Sequence, residues 1–234
     1  MFSKKVLLLS AMTLLGMCAS TPAAETDGPA LKKDERIVFL GDSITQGGVG
    51  PHGYVTIIKN ALAVKHKDLG IEVIGAGISG NKVPDLQRRL EKDVLAKKPT
   101  LVVIYIGIND VWHWEHTPPN GTTKEKFEAG LTEIIGKIKA AGARVVLCTP
   151  SVIGEKKAGA NKLDAQLDEY SEISRRVAKD TGSQLCDLRK AFLDHLAKHN
   201  EKDVESKILT TDRVHLNDAG NRFVAETILS TIDK

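Results

Sequence analysis

Five short apolar runs punctuate the chain, at Arg36–Leu40, Ile71–Ala76, Thr100–Gly107, Ala143–Thr149 and Ser183–Leu188. They are rich in Val and Ile and alternate little with polar residues, as parallel strands buried on both faces do. The stretches between them carry apolar residues at helical spacing. Phe127, Leu131, Ile134, Ile135 and Ile138 share one face, as do Leu163, Leu167, Tyr170 and Val177. Tyr54, Ile57, Ile58 and Leu62 make a shorter stripe, Leu86, Leu90 and Val94 another, and Phe223, Val224 and Ile228 mark a last helix. Nearly every strand is followed by a helix. The pattern predicts a single α/β domain over residues 36–234, a three-layer α/β/α arrangement around a parallel sheet. There is no internal repeat.

The first 24 residues read differently. Lys4-Lys5 precedes an apolar stretch from Val6 to Met17, and small residues follow up to Ala24. A basic start, a short apolar core and a small-residue exit make a secretory signal. The stretch is too short for the roughly 20 residues of a membrane-spanning helix. Cleavage is expected after Ala23 or Ala24, which gives a periplasmic or secreted protein with a polar linker over residues 25–35. Cys18 follows Leu-Leu-Gly-Met, similar to a bacterial lipoprotein site, but with Met where a small residue belongs. The expectation is therefore a free mature chain without a lipid anchor.

Composition narrows the function. Of 234 residues, 33 are Lys or Arg and 30 are Asp or Glu. Lys4 and Lys5 leave with the leader, so the mature chain is nearly neutral. With only five Phe, three Tyr and two Trp, nothing favours a nucleic-acid partner. Cys148 and Cys186 lie in strand-like runs, where a buried free thiol is the ordinary state, although an exported chain also permits a disulfide. No Cys or His cluster has metal-ligand spacing.

In a parallel α/β sheet, chemistry gathers at the carboxyl ends of the strands, where strand order reverses. The first run exits into Gly41-Asp42-Ser43-Ile44, the second into Gly75-Ala76-Gly77-Ile78-Ser79-Gly80-Asn81, and the third into Gly107-Ile108-Asn109-Asp110. Strand order 2-1-3-4-5 would converge all three on one crevice. Much later come Asp212 and, three residues on, His215. That spacing lets a carboxylate accept the Nδ1–H of the ring and leave Nε2 free to take a proton.

These four segments, in this order, resemble the SGNH hydrolase superfamily, the GDSL-type esterases and lipases, with Ile44 replacing the usual Leu. The likeness runs from about Arg36 to Asn221. It implies the flavodoxin-like SGNH fold, with Ser43 as nucleophile, His215 as general base and then acid, and Asp212 as its orienting carboxylate. The oxyanion donors would be the N–H groups of Ser43 and Gly80 and the amide of Asn109. Gly77 competes with Gly80, and the family pattern favours Gly80. No cofactor or metal is implied. Arg213 departs from the family, which commonly has a small residue there; it is expected to face solvent, the alternative being an influence on substrate charge preference.

The resemblance further implies an exported serine ester hydrolase of small acyl esters, with acetyl esters of carbohydrates as the first substrate expectation. A lysophospholipase or thioesterase would use the same residues, and a non-catalytic carbohydrate binder is the rival of another class. Both tryptophans fall just after Asn109-Asp110. Trp112 is the candidate substrate contact, the alternative being that a Trp packs beneath the loop. Asp110 is expected to bond loop amides below the site.

Overall fold

The computed structural model describes Met1 and residues 31–233. The export signal, Cys18 and most of the linker lie outside them. Five strands form one all-parallel sheet in the order β2-β1-β3-β4-β5: β1 Arg36–Gly41, β2 Glu72–Gly77, β3 Leu101–Tyr105, β4 Arg144–Cys148 and β5 Gln184–Cys186. Every residue of β3 is buried, and β1 and β4 each expose only their first residue in part. Near-continuous apolar runs therefore mark these strands, because helices cover both faces.

The helices are α1 Ser43–Gly48, α2 Tyr54–Lys65, α3 Val83–Asp93, α4 Ile108–Trp112, α5 Lys124–Ala140, α6 Asp164–Thr181, α7 Leu188–His199 and α8 Asp218–Ile232. α3, α5 and α6 pack side by side in one layer, and α2, α7 and α8 in the other. The apolar stripes of the sequence are the buried faces: Phe127, Leu131, Ile134, Ile135 and Ile138 of α5 are fully buried, and so is Leu167 of α6.

Three runs are shorter than their patterns predict, β4 by one residue at each end. β3 ends at Tyr105, because the chain turns directly into α4. β5 is only three residues long, because Asp187 accepts the Lys190 N–H and caps α7, so that Leu188 belongs to a helix. Cys148 and Cys186 are register partners on adjacent strands, and both are buried free thiols. Burial pushes the Cys148 thiol up.

The register fixes the crevice. Gly41 at the end of β1 pairs with Gly77 of β2 on one side and Tyr105 of β3 on the other. Three strand exits thus stand level, at the point where strand order reverses.

Candidate active site

Ser43 opens α1 directly after β1. The helix starts there because the Asp42 carboxylate accepts the Ile44 N–H at 2.9 Å. As the first helical residue, Ser43 has no partner for its N–H within the helix. Its hydroxyl lies 2.9 Å from His215 Nε2, bridging 172 positions of sequence. His215 Nδ1 lies 2.7 Å from Asp212 Oδ2. With the ring proton on Nδ1 donated to that carboxylate, Nε2 accepts from the serine.

Asp212 is fixed from a second direction. Its Oδ1 accepts the backbone N–H of His215 at 2.8 Å and of Val214 at 3.1 Å. Partial burial pushes its carboxyl up, but these bonds and the one from the ring outweigh it, and the group is held below the usual carboxylate range. Between Asp212 and His215 the chain turns through Arg213 at φ +85°. That conformation is costly for a side chain and easy for glycine, a physical reason for a small residue to be favoured there. The Arg213 side chain faces the surface and pairs with Glu205 at 3.1 Å.

The two glycines of the second exit differ in surroundings. A Cβ on Gly77 would sit 2.1 Å from the Gln46 nitrogen of α1, so Gly77 serves close packing of helix on strand. Gly80 has φ +75° and open space where its Cβ would be. The loop before it is held by the Gln46 side chain, which accepts the Ser79 N–H at 2.7 Å, and by Ile78 N–H donating to Gly41 O at 3.2 Å. Asn109, 4% exposed in α4, donates one amide hydrogen to Asn81 O at 3.1 Å. Its second amide hydrogen remains for another acceptor.

Arg89 of α3 ties these parts together, donating to Gly41 O and to the Asn81 side chain, each at 2.7 Å. Asp110 is fully buried and accepts the N–H of Val83, the first residue of α3, at 3.1 Å. Burial pushes its carboxyl to about 6 and that of Asp42 to about 7.

Trp112 is half-buried and packs against the core. Trp114 covers Gly121 and, with Tyr170 and Glu169, lines a depression between the first turns of α5 and α6. Gln46, Asn81 and Arg89 escape a reading of local motifs, because each acts on a residue far away in sequence; only the fold brings them together. Among the described residues no group of His, Cys, Asp and Glu could hold a metal ion. No described helix is long and apolar enough to cross a membrane.

A model of the GDSL-like Lipase/Acylhydrolase family matches residues 39–223. The chain belongs to this family. It is a GDSL-type carboxylic ester hydrolase, and its sheet is that of the solved SGNH esterases. The structure of an acetyl xylan esterase, AlAXEase, superposes with a TM-score of 0.81 at 46% identity, covering 83% of this chain and 98% of that one. The acetylxylan esterase of Geobacillus stearothermophilus is 33% identical over 85% of this chain and 94% of its own length. Two solved catalytic mutants of that enzyme, each with a TM-score of 0.77, replace by alanine a histidine and an aspartate three residues before it. An isoamyl acetate-hydrolyzing esterase 1 homolog of Rattus norvegicus is 26% identical over 85% of this chain and 82% of its own length.

Proposed function

We propose that this chain is an exported serine esterase that removes acetyl groups from small esters, carbohydrate acetates foremost. The carrying observation is the continuous line Asp212–His215–Ser43, at 2.7 and 2.9 Å. In this reading Ser43 Oγ attacks the ester carbonyl carbon while its proton passes to His215 Nε2. The oxyanion is held by the N–H groups of Ser43 and Gly80 and by the free amide hydrogen of Asn109. Collapse expels the alcohol, which takes the proton from His215. Water then repeats the sequence on the acetyl-serine and releases acetate and the free hydroxyl. No cofactor enters these steps.

The acetyl preference is supported by relatives whose names carry acetates of both a polysaccharide and a simple alcohol. Their common part is the acyl group. The acid–histidine spacing mutated in the Geobacillus enzyme is also the spacing of Asp212 and His215. Export rests on the residue 1–24 pattern, and mass measurement of the secreted chain should place its start at Ala24 or Glu25.

The test is a fluorophosphonate probe together with hydrolysis of acetylated xylo-oligosaccharides, lysophospholipids and acyl thioesters. Wild type should be labelled and should prefer the acetates. Ser43→Ala should lose labelling and turnover while melting normally. A folded Ser43→Ala protein with undiminished turnover refutes the mechanism, and a preference for long acyl chains refutes the substrate class.

A further inference from the structure

The segment that carries Asp212 and His215 has little secondary structure of its own. It is a tight hairpin closed by one isolated antiparallel bridge, Thr210 with Leu216, and by Thr211 N–H donating to His215 O at 2.7 Å and Asn217 N–H to Leu209 O at 3.0 Å. It lies outside the sheet. A general base must nevertheless be held to a fraction of an ångström, since a displacement of about 1 Å can cost roughly 10²-fold in rate. Something else has to fix the hairpin.

Glu155 meets that need. It lies on the loop after β4 and is fully buried. Its Oε1 accepts the N–H groups of Leu209 and Thr210, each at 2.6 Å, and its Oε2 accepts that of Ile208 at 2.8 Å. Three successive N–H groups without helix or sheet partners converge on one carboxylate, an arrangement that suits an anion. The main chain adds to the clamp. Gly154 N–H donates to Arg213 O at 2.9 Å, between the acid and the histidine, and Glu155 N–H donates to Glu205 O at 2.9 Å. Asn200 Nδ2 donates to Glu155 O at 2.6 Å and holds the clamp from behind. Gly154 therefore grips the tip of the hairpin and the Glu155 carboxylate its base.

We infer that Glu155 is a positioning residue for ester hydrolysis, setting through the Ile208–Thr210 backbone where His215 stands relative to Ser43. This rests on the Ser43–His215–Asp212 reading above. The distances leave no slack: an amide in place of the carboxylate keeps one acceptor oxygen and turns an NH2 toward at least one backbone donor.

The experiment is Glu155→Gln, assayed on 4-nitrophenyl acetate and crossed with Asp212→Asn in a double-mutant cycle. The expected result is a kcat lowered by roughly 10–100-fold with KM within about threefold. In the Asp212→Asn background the same change should cost much less, because the acid–histidine line is already broken. If Glu155→Gln does not fold, Glu155→Asp, which keeps the charge and falls one methylene short, should show the same kcat-selective loss. A folded variant with near-wild-type kcat overturns the inference. So does a loss that adds in full to that of Asp212→Asn, which marks a merely structural role. If Asp212→Asn alone keeps its turnover, it is the underlying triad reading that fails.

Discussion

Replacing Asp42 by Asn should flatten the dependence of stability on pH. Asp42 is 2% exposed and directly precedes Ser43, the proposed nucleophile. Burial is the largest influence on its carboxyl, pushing it from 3.8 to about 7; Asp110 pushes the same way, and the Ile44 N–H and His215 oppose. The sign follows from linkage. With the folded value above the unfolded one, the native state holds a proton between about pH 4 and 7 that the unfolded chain releases. The stabilisation is complete below pH 4 and is lost as pH rises through 7. At about 1.4 kcal/mol per unit, the part lost between pH 5 and 8 is roughly 2–3 kcal/mol. An asparagine oxygen still accepts the Ile44 N–H, so the cap on α1 survives while the titration disappears. Urea unfolding followed by tryptophan fluorescence at pH 5, 6, 7 and 8 measures the effect. Wild type should lose stability across this range, and Asp42→Asn should lose about 2–3 kcal/mol less. Parallel curves for the two proteins would refute the reasoning.

Asn109→Ala removes a proposed oxyanion donor and should lower kcat on 4-nitrophenyl acetate by roughly 10²–10³-fold with KM little changed; a change confined to KM would make Asn109 a binding or turn residue instead. Asp164→Ala should destabilise the fold by roughly 3–5 kcal/mol in urea. It strands the guanidinium of Arg189, 1% exposed and 2.9 Å from Asp164, with only the solvent-facing Asp168 as a carboxylate partner; a shift below about 1 kcal/mol would contradict the buried-pair argument.

The sheet was legible because burial on both faces writes itself as uninterrupted Val and Ile, and β1, β3 and β4 carry that signature. α7 was not, although Leu188, Phe192 and Leu196 stand at helical spacing and are all buried. Its first residue continues the apolar run of β5, and only the Asp187 cap divides strand from helix. At the site, His215 lies in hydrogen-bonding reach of Ser43 on one side and of Asp212 on the other, and Gly80 and Asn109 stand on the neighbouring exits. Their supports were invisible for a different reason. Arg89 reaches Gly41 across 48 positions and Glu155 reaches Leu209 across 54. Such contacts follow from the packing of whole elements, and no local spacing encodes them.

Burial also sorts the aspartates that a sequence presents as equals. The Asp212 side chain is half-exposed, and its bonds to the ring and to two backbone N–H groups keep it ionised. In the proposed triad it would therefore orient His215 and balance the imidazolium over the whole neutral range. Asp42 and Asp110 are both buried, burial pushes both carboxyls up, and the charge on Asp110 adds to the shift of Asp42. Asp42 nevertheless attracts a positive charge on His215. Its ionisation near pH 7 should thus destabilise the fold and, in the proposed mechanism, add a charge that attracts the imidazolium. Stability and the proposed chemistry are set against each other at one carboxyl, as at sites that give up stability for function.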